Sequence, residues 1–129
     1  MFSRVGEEAA AIAGGKTDGL FLYAEVEEGS VVASVFMDEG DVVRYYDPTQ
    51  ELFKLIRQAW DASELDEAKR WVVMEYAVRG TKFDASFKYR SELVRGDYVT
   101  DRRRAVLIAR YGDKPVIYPP MPENMRSGS

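Results

Sequence analysis

Two hydrophobic periods alternate along this chain, and a fold made only of helices or only of strands cannot hold both. From Leu20 the period is two: Leu20, Leu22, Ala24 and Val26 fall on one side, while Phe21, Tyr23 and Glu25 fall on the other. That alternation is the mark of a strand. Turn signals at Glu27, Glu28, Gly29 and Ser30, and again at Asp38, Glu39, Gly40 and Asp41, separate it from two further β-branched and aromatic runs, 31–37 and 42–46. These three runs predict an antiparallel meander.

Beyond Tyr46 the period lengthens. Leu52, Phe53, Ile56, Ala59 and Trp60 recur at helical spacing. Asp47 caps this helix, Pro48 suits its first position, and Gln50 stands where a capping box wants it. An earlier helix is predicted from a Ser3 cap through Val5, Ala9, Ile12 and Ala13, stopped by Gly14 and Gly15. Ser63 with Asp66 predicts a short further turn of helix through Lys69. Residues 71–78 form a strand with two largely apolar faces, and Arg79, Gly80 and Thr81 turn the chain into 82–89. There Phe83, Ala85, Phe87 and Tyr89 alternate with Asp84, Ser86 and Lys88, which predicts a hairpin with one wet face. Thr100 caps a last helix ending at Tyr111 and Gly112, after which the chain from Pro115 is expected to be irregular and frayed beyond Met121.

The resulting class is α+β: an antiparallel sheet of about five strands with an N-terminal, a central amphipathic and a C-terminal helix packed on it. A length of 129 residues suits one domain, 1–129, with an ordered core expected over 3–120. No apolar run reaches the roughly 18 residues of a membrane span, and the early acids Glu7 and Glu8 do not fit a secretory leader. A cytoplasmic protein without a membrane partner is expected.

Composition then narrows the chemistry. The chain has no histidine and no cysteine, so it lacks the usual proton shuttle, metal ligand and soft nucleophile. No Gly-rich phosphate loop follows a strand, and no base is at hand to activate a serine. Neither catalysis nor a cofactor is expected. Asp38, Glu39 and Asp41 share a loop but lack the bidentate Glu of a calcium loop, so no metal is expected either.

Carboxylates outnumber Lys plus Arg by 22 to 18, giving a net charge of -4, which disfavours nucleic acid and favours a basic protein partner. Glu25, Glu27, Glu28, Asp38, Glu39, Asp41, Asp47 and Glu51 lie in one stretch whose only base is Arg44. If the meander gathers its turns, these acids form a negative surface able to steer such a partner; the bland alternative is an ordinary solvated face. Tyr45, Tyr46 and Tyr98 are the aromatics best placed for exposure and anchoring. Arg102, Arg103 and Arg104 stand in the first turn of the last helix, where the helix dipole disfavours cations. Either they bind a carboxylate or phosphate, or they pair internally, for instance with Asp97 or Asp101.

The stretch 19–26, the helix after Asp47 and the segment Thr81-Lys82-Phe83-Asp84-Ala85-Ser86-Phe87-Lys88-Tyr89 together resemble the YezG-like immunity protein family. Phe83, Phe87 and Tyr89 match its Phe-x-x-x-Phe-x-Tyr strand. Arg103 or Arg104, the Tyr111-Gly112 helix end and the Tyr118-Pro119-Pro120 segment match its C-terminal part. Arg90 stands where the family tends to have an acid. The resemblance, over about residues 18–120, implies an α+β antitoxin that binds and neutralises a toxin domain, often a nuclease, with no catalytic residue of its own. On that reading the acidic stretch and its tyrosines, Glu25, Glu27, Glu28, Asp38, Glu39, Asp41, Tyr45, Tyr46 and Glu51, face the partner. The alternatives are a small-ligand or regulatory domain, and a homo-oligomeric structural protein that uses an exposed sheet edge.

Overall fold

The computed structural model describes residues 2–27, 29–66, 69–93 and 98–119. In chain order they form α1 (Phe2–Ile12), β1 (Leu20–Glu27), β2 (Ser30–Asp38), β3 (Val43–Tyr46), α2 (Gln50–Ser63), β4 (Trp71–Arg79), β5 (Lys82–Tyr89), α3 (Val99–Tyr111) and β6 (Val116–Ile117). A short 3-10 turn, Arg90–Glu92, follows β5. One six-stranded sheet has the order β5-β4-β1-β2-β3-β6. β1, β2 and β3 make the antiparallel meander, and β4 pairs antiparallel with both β1 and β5.

Period two in β1 divides the core between two faces. Leu20, Leu22, Ala24 and Val26 join Val35, Met37, Met74 and Tyr76 beneath α1 and α2. Phe21 and Tyr23 join Phe36, Val43, Val72 and Val73 on the opposite face, where Val106, Leu107 and Tyr111 of α3 pack. A β-bulge between Trp71 and Val73 makes Val72 the extra residue, which is how two consecutive valines reach the same core. The helices therefore sandwich the sheet, two on one side and one on the other.

The two helical layers differ in how they hold. α2 inserts Leu52, Ile56, Ala59 and Trp60 fully into the core, and each large apolar side chain so buried contributes about 1.5–3 kcal/mol. α3 has no fully buried residue. Its attachment must come from something besides apolar burial.

Several expectations need correction. The sheet has six strands and is mixed: Val116–Ile117 pairs parallel with β3, and the Val43 N–H donates to the Pro115 carbonyl at 2.8 Å. A two-residue strand carries no periodicity to read. Ser3 lies inside α1 instead of capping it. α2 is capped by Thr49, not Asp47, because the Thr49 hydroxyl accepts the Leu52 N–H at 3.1 Å while donating to Glu8 of α1 at 2.6 Å. A contact with another helix settled which residue caps. α3 starts after Tyr98 without a side-chain cap, so Thr100 is already helical. The Lys69 N–H donates to the Asp66 carbonyl at 3.0 Å, whereas residues 67 and 68 of the expected turn, like the tail from 120, lie outside the described residues.

Candidate functional site

The first-turn arginines of α3 hold that helix to the sheet. Alternation puts Tyr23 and Glu25 of β1 on the α3 face, with Glu25 only 6% exposed. Arg102 grips its carboxylate with a two-point fork, Nη2 to Oε1 at 2.6 Å and Nε to Oε2 at 2.9 Å, while the Tyr23 hydroxyl donates to Oε2 at 2.6 Å. Arg103 donates to the buried Ser34 hydroxyl at 2.9 Å. Farther along, the Arg110 guanidinium lies 4.2 Å from the centre of the Phe21 ring, and Lys114 Nζ reaches Asp38 at 2.9 Å. Four cations on or just after α3 thus meet four sheet residues. Two of the three arginines pair internally, as one of the two sequence readings had it, Arg102 across 77 positions with Glu25 and Arg103 with Ser34, while Asp97, one of the partners expected for them, lies outside the described residues.

This network takes up two of the acidic candidates, and Arg44 pairs with a third. Glu25 is consumed by Arg102. Asp38 is held below the usual carboxylate range, first by the Gly40 N–H and then by Lys114. Glu39 is lowered by its 2.9 Å contact with Arg44. Glu27 is exposed and stands 3.8 Å from Arg90, while Asp41 is exposed. Glu28 lies outside the described residues. Nor does the meander gather its turns: Glu27 pairs with Ser30 at one end of the β1–β2 ladder, Leu20 with Met37 at the other. At about 3.3 Å per residue, nearly 26 Å separates the ends of β2. Consecutive turns of a meander must alternate ends, so the two acidic turns face different solvent.

Tyr45 and Tyr46 are half-buried and point to opposite faces. Tyr45 packs on Phe36 and Tyr118, its proton held more tightly by burial and then by the Asp47 charge. Tyr46 packs against the helix-side core. Tyr98, 74% exposed, is the one aromatic of that trio that stands free in solvent.

Two of the concavities among the described residues bring several carboxylates together with cations. The larger, about 680 Å³, runs between α3 and the β4–β5 hairpin, where Arg79, Lys88 and Arg110 alternate with Glu75, Glu92 and Asp101. Its floor includes Tyr23, whose proton burial and the Glu25 hydrogen bond hold far above the ordinary phenol range. A phenol so held is a poor proton donor or acceptor near neutrality, so this constellation fixes structure and offers polar contacts. The smaller groove, about 310 Å³, lies on the helix layer between α1 and α2, lined by Arg4, Glu7, Glu8, Glu51 and Leu55. Here three carboxylates meet one cation in a mostly polar lining whose one apolar side chain is Leu55, and the set does not form a metal-holding group. Sequence reading found Glu51 but missed Glu7 and Glu8. Their only signal was the acidic turn of α1, whose approach to α2 is a tertiary fact.

No helix among the described residues is long and apolar enough to cross a membrane. Compared with models of known protein families and with characterised proteins, the chain matches none of them. The YezG-like resemblance therefore rests on residue pattern alone.

Proposed function

We propose that this chain is an immunity protein that binds a basic toxin domain and blocks it, with the helix-layer groove as the partner-facing surface. The observation that carries the reading is the convergence of Glu7, Glu8 and Glu51 around Leu55, with Arg4 the sole cation of the groove. Carboxylates gathered this way steer a basic partner, and Leu55 among them offers an apolar contact. The net charge of -4 and the family resemblance support the same direction. The acidic meander turns are not needed for it, and of the acidic stretch Glu51 is the member that lines this groove.

Co-expression with the toxin encoded beside the gene tests the proposal. Wild-type chain is expected to restore growth, and Glu7→Lys with Glu51→Lys to weaken protection while the protein stays folded. Continued killing despite soluble wild-type expression sinks it.

A second reading has its own observation in the cleft beside α3, whose convergent charges suit a small polar ligand. A metabolite panel that raises the melting temperature of the wild type, but not of Lys88→Ala, favours that reading instead.

A further inference from the structure

We propose that β5 is a dimerisation edge, pairing antiparallel with β5 of a second copy so that two six-stranded sheets continue as one. The inference is independent of what the helix-layer groove binds. β5 is an eight-residue strand at the end of the sheet, hydrogen-bonded on one side only among the described residues. It carries large aromatics in solvent, Phe83 at 58% and Tyr89 at 45% exposure. The opposite edge, β6, has two residues and offers no comparable ladder.

Hydrogen-bond phase follows from the hairpin. Arg79 pairs with Lys82 across a two-residue Gly80-Thr81 loop, with φ +59 at Gly80 alone, the pattern of a type II′ turn. The pair closing such a loop is hydrogen-bonded, so even-numbered residues of β5 turn their N–H and C=O toward β4 and odd-numbered residues turn theirs to the free edge. An independent contact agrees: the Tyr89 N–H, odd-numbered, points away from β4 and donates to Glu92 at 2.7 Å. Main-chain groups of Phe83, Ala85 and Phe87, with the Tyr89 carbonyl, are therefore presented outward.

One register makes this edge self-complementary. With Ser86 facing its own copy across the two-fold axis, Asp84 faces Lys88, Phe83 faces Tyr89 and Ala85 faces Phe87, and each pair occurs twice. Charges meet opposite charges on the α3 face, and apolar residues meet apolar residues on the α1 face, since Ala85 and Phe87 pack against the helix-side core. A slip of two residues sets Lys82 against Lys88 twice, and the opposite slip takes Phe83 beyond the partner strand. Slips of one residue set the charged face against the apolar one. Charged side chains normally guard a free edge from pairing; here Asp84 and Lys88 favour this register over the slip that sets Lys82 against Lys88.

Sedimentation of the full chain from micromolar to millimolar concentration tests the proposal. The wild type is expected to reach twice its 14.7 kDa mass. Asp84→Lys and Lys88→Asp, each setting like charges opposite one another at two symmetric places, are each expected to raise the dimer dissociation constant about 10-fold. The double swap is expected to restore it. Because the chain has no cysteine, Ser86→Cys gives a second readout. A non-hydrogen-bonded pair about 4.5 Å apart at Cα is within disulfide reach, so mild oxidation should yield a covalent dimer, whereas Asp84→Cys should not. A chain monomeric at millimolar concentration overturns the proposal, as does a dimer that ignores both charge reversals and leaves Ser86→Cys uncrosslinked.

Discussion

Gly6 lies in the middle of α1, where glycine usually weakens a helix by about 1 kcal/mol. Space accounts for it: a Cβ there would stand 2.3 Å from the Tyr76 hydroxyl. Gly6→Ala is expected to destabilise by about 1–3 kcal/mol through overpacking, with partial recovery in Tyr76→Phe, read by urea denaturation. The two tryptophans make a second contrast. The Trp60 indole N–H donates to the Trp71 carbonyl at 2.6 Å between Arg57 and Arg70, whereas the Trp71 indole N–H is buried with no partner. An orphaned buried donor costs about 1–3 kcal/mol. Trp60→Phe should therefore lower stability more than Trp71→Phe does, although both side chains are similarly buried. None of these assignments was legible in sequence, because each depends on which atom of a distant element comes close.

At the scale of elements, α3 stays on the sheet largely through Arg102 and its partners. Side chains of Arg102 and Glu25 are 18% and 7% exposed, and removing one partner of so buried a pair costs about 3–5 kcal/mol. Arg102→Met should approach that range in chemical denaturation, while Arg102→Met with Glu25→Leu should lose much less, because no uncompensated charge then remains. Alkaline pH attacks the same face. Tyr23 and Tyr111 both hold their protons more tightly folded than unfolded, chiefly through burial, and Tyr111 is pushed from 10.0 to about 12. What the raised phenols contribute is whole below pH 10 and is lost as pH rises toward 12. Stability is expected to fall across that window, and Tyr111→Phe to flatten the fall, as thermal melts at stepped pH will show. Strand alternation, the amphipathic stripe of α2 and the Gly112 stop could all be read ahead of structure because each is encoded by neighbours. The parallel strand β6 and the cap at Thr49 could not, since one follows from where α3 returns the chain and the other from a hydroxyl shared with Glu8.

For the whole molecule, charge distribution is the property that sequence misled most. Carboxylates concentrated between Glu25 and Glu51 suggested one negative surface, yet a meander sends successive turns to opposite ends, and cations from α3 and its flank neutralise Glu25 and Asp38. What remains exposed on the helix layer is a smaller acidic groove built from residues more than forty positions apart. Glu7 of that groove also lines a concavity of about 500 Å³ with Lys82 and Phe83 of β5, so toxin capture and self-association would use neighbouring surfaces. Binding of the purified chain to its cognate toxin domain, followed as a function of salt, tests the immunity role most directly. A tight complex is expected whose association slows steeply with ionic strength, and by about 10-fold in Glu7→Lys with Glu51→Lys at low salt. No complex, or one indifferent to both salt and those reversals, would contradict it.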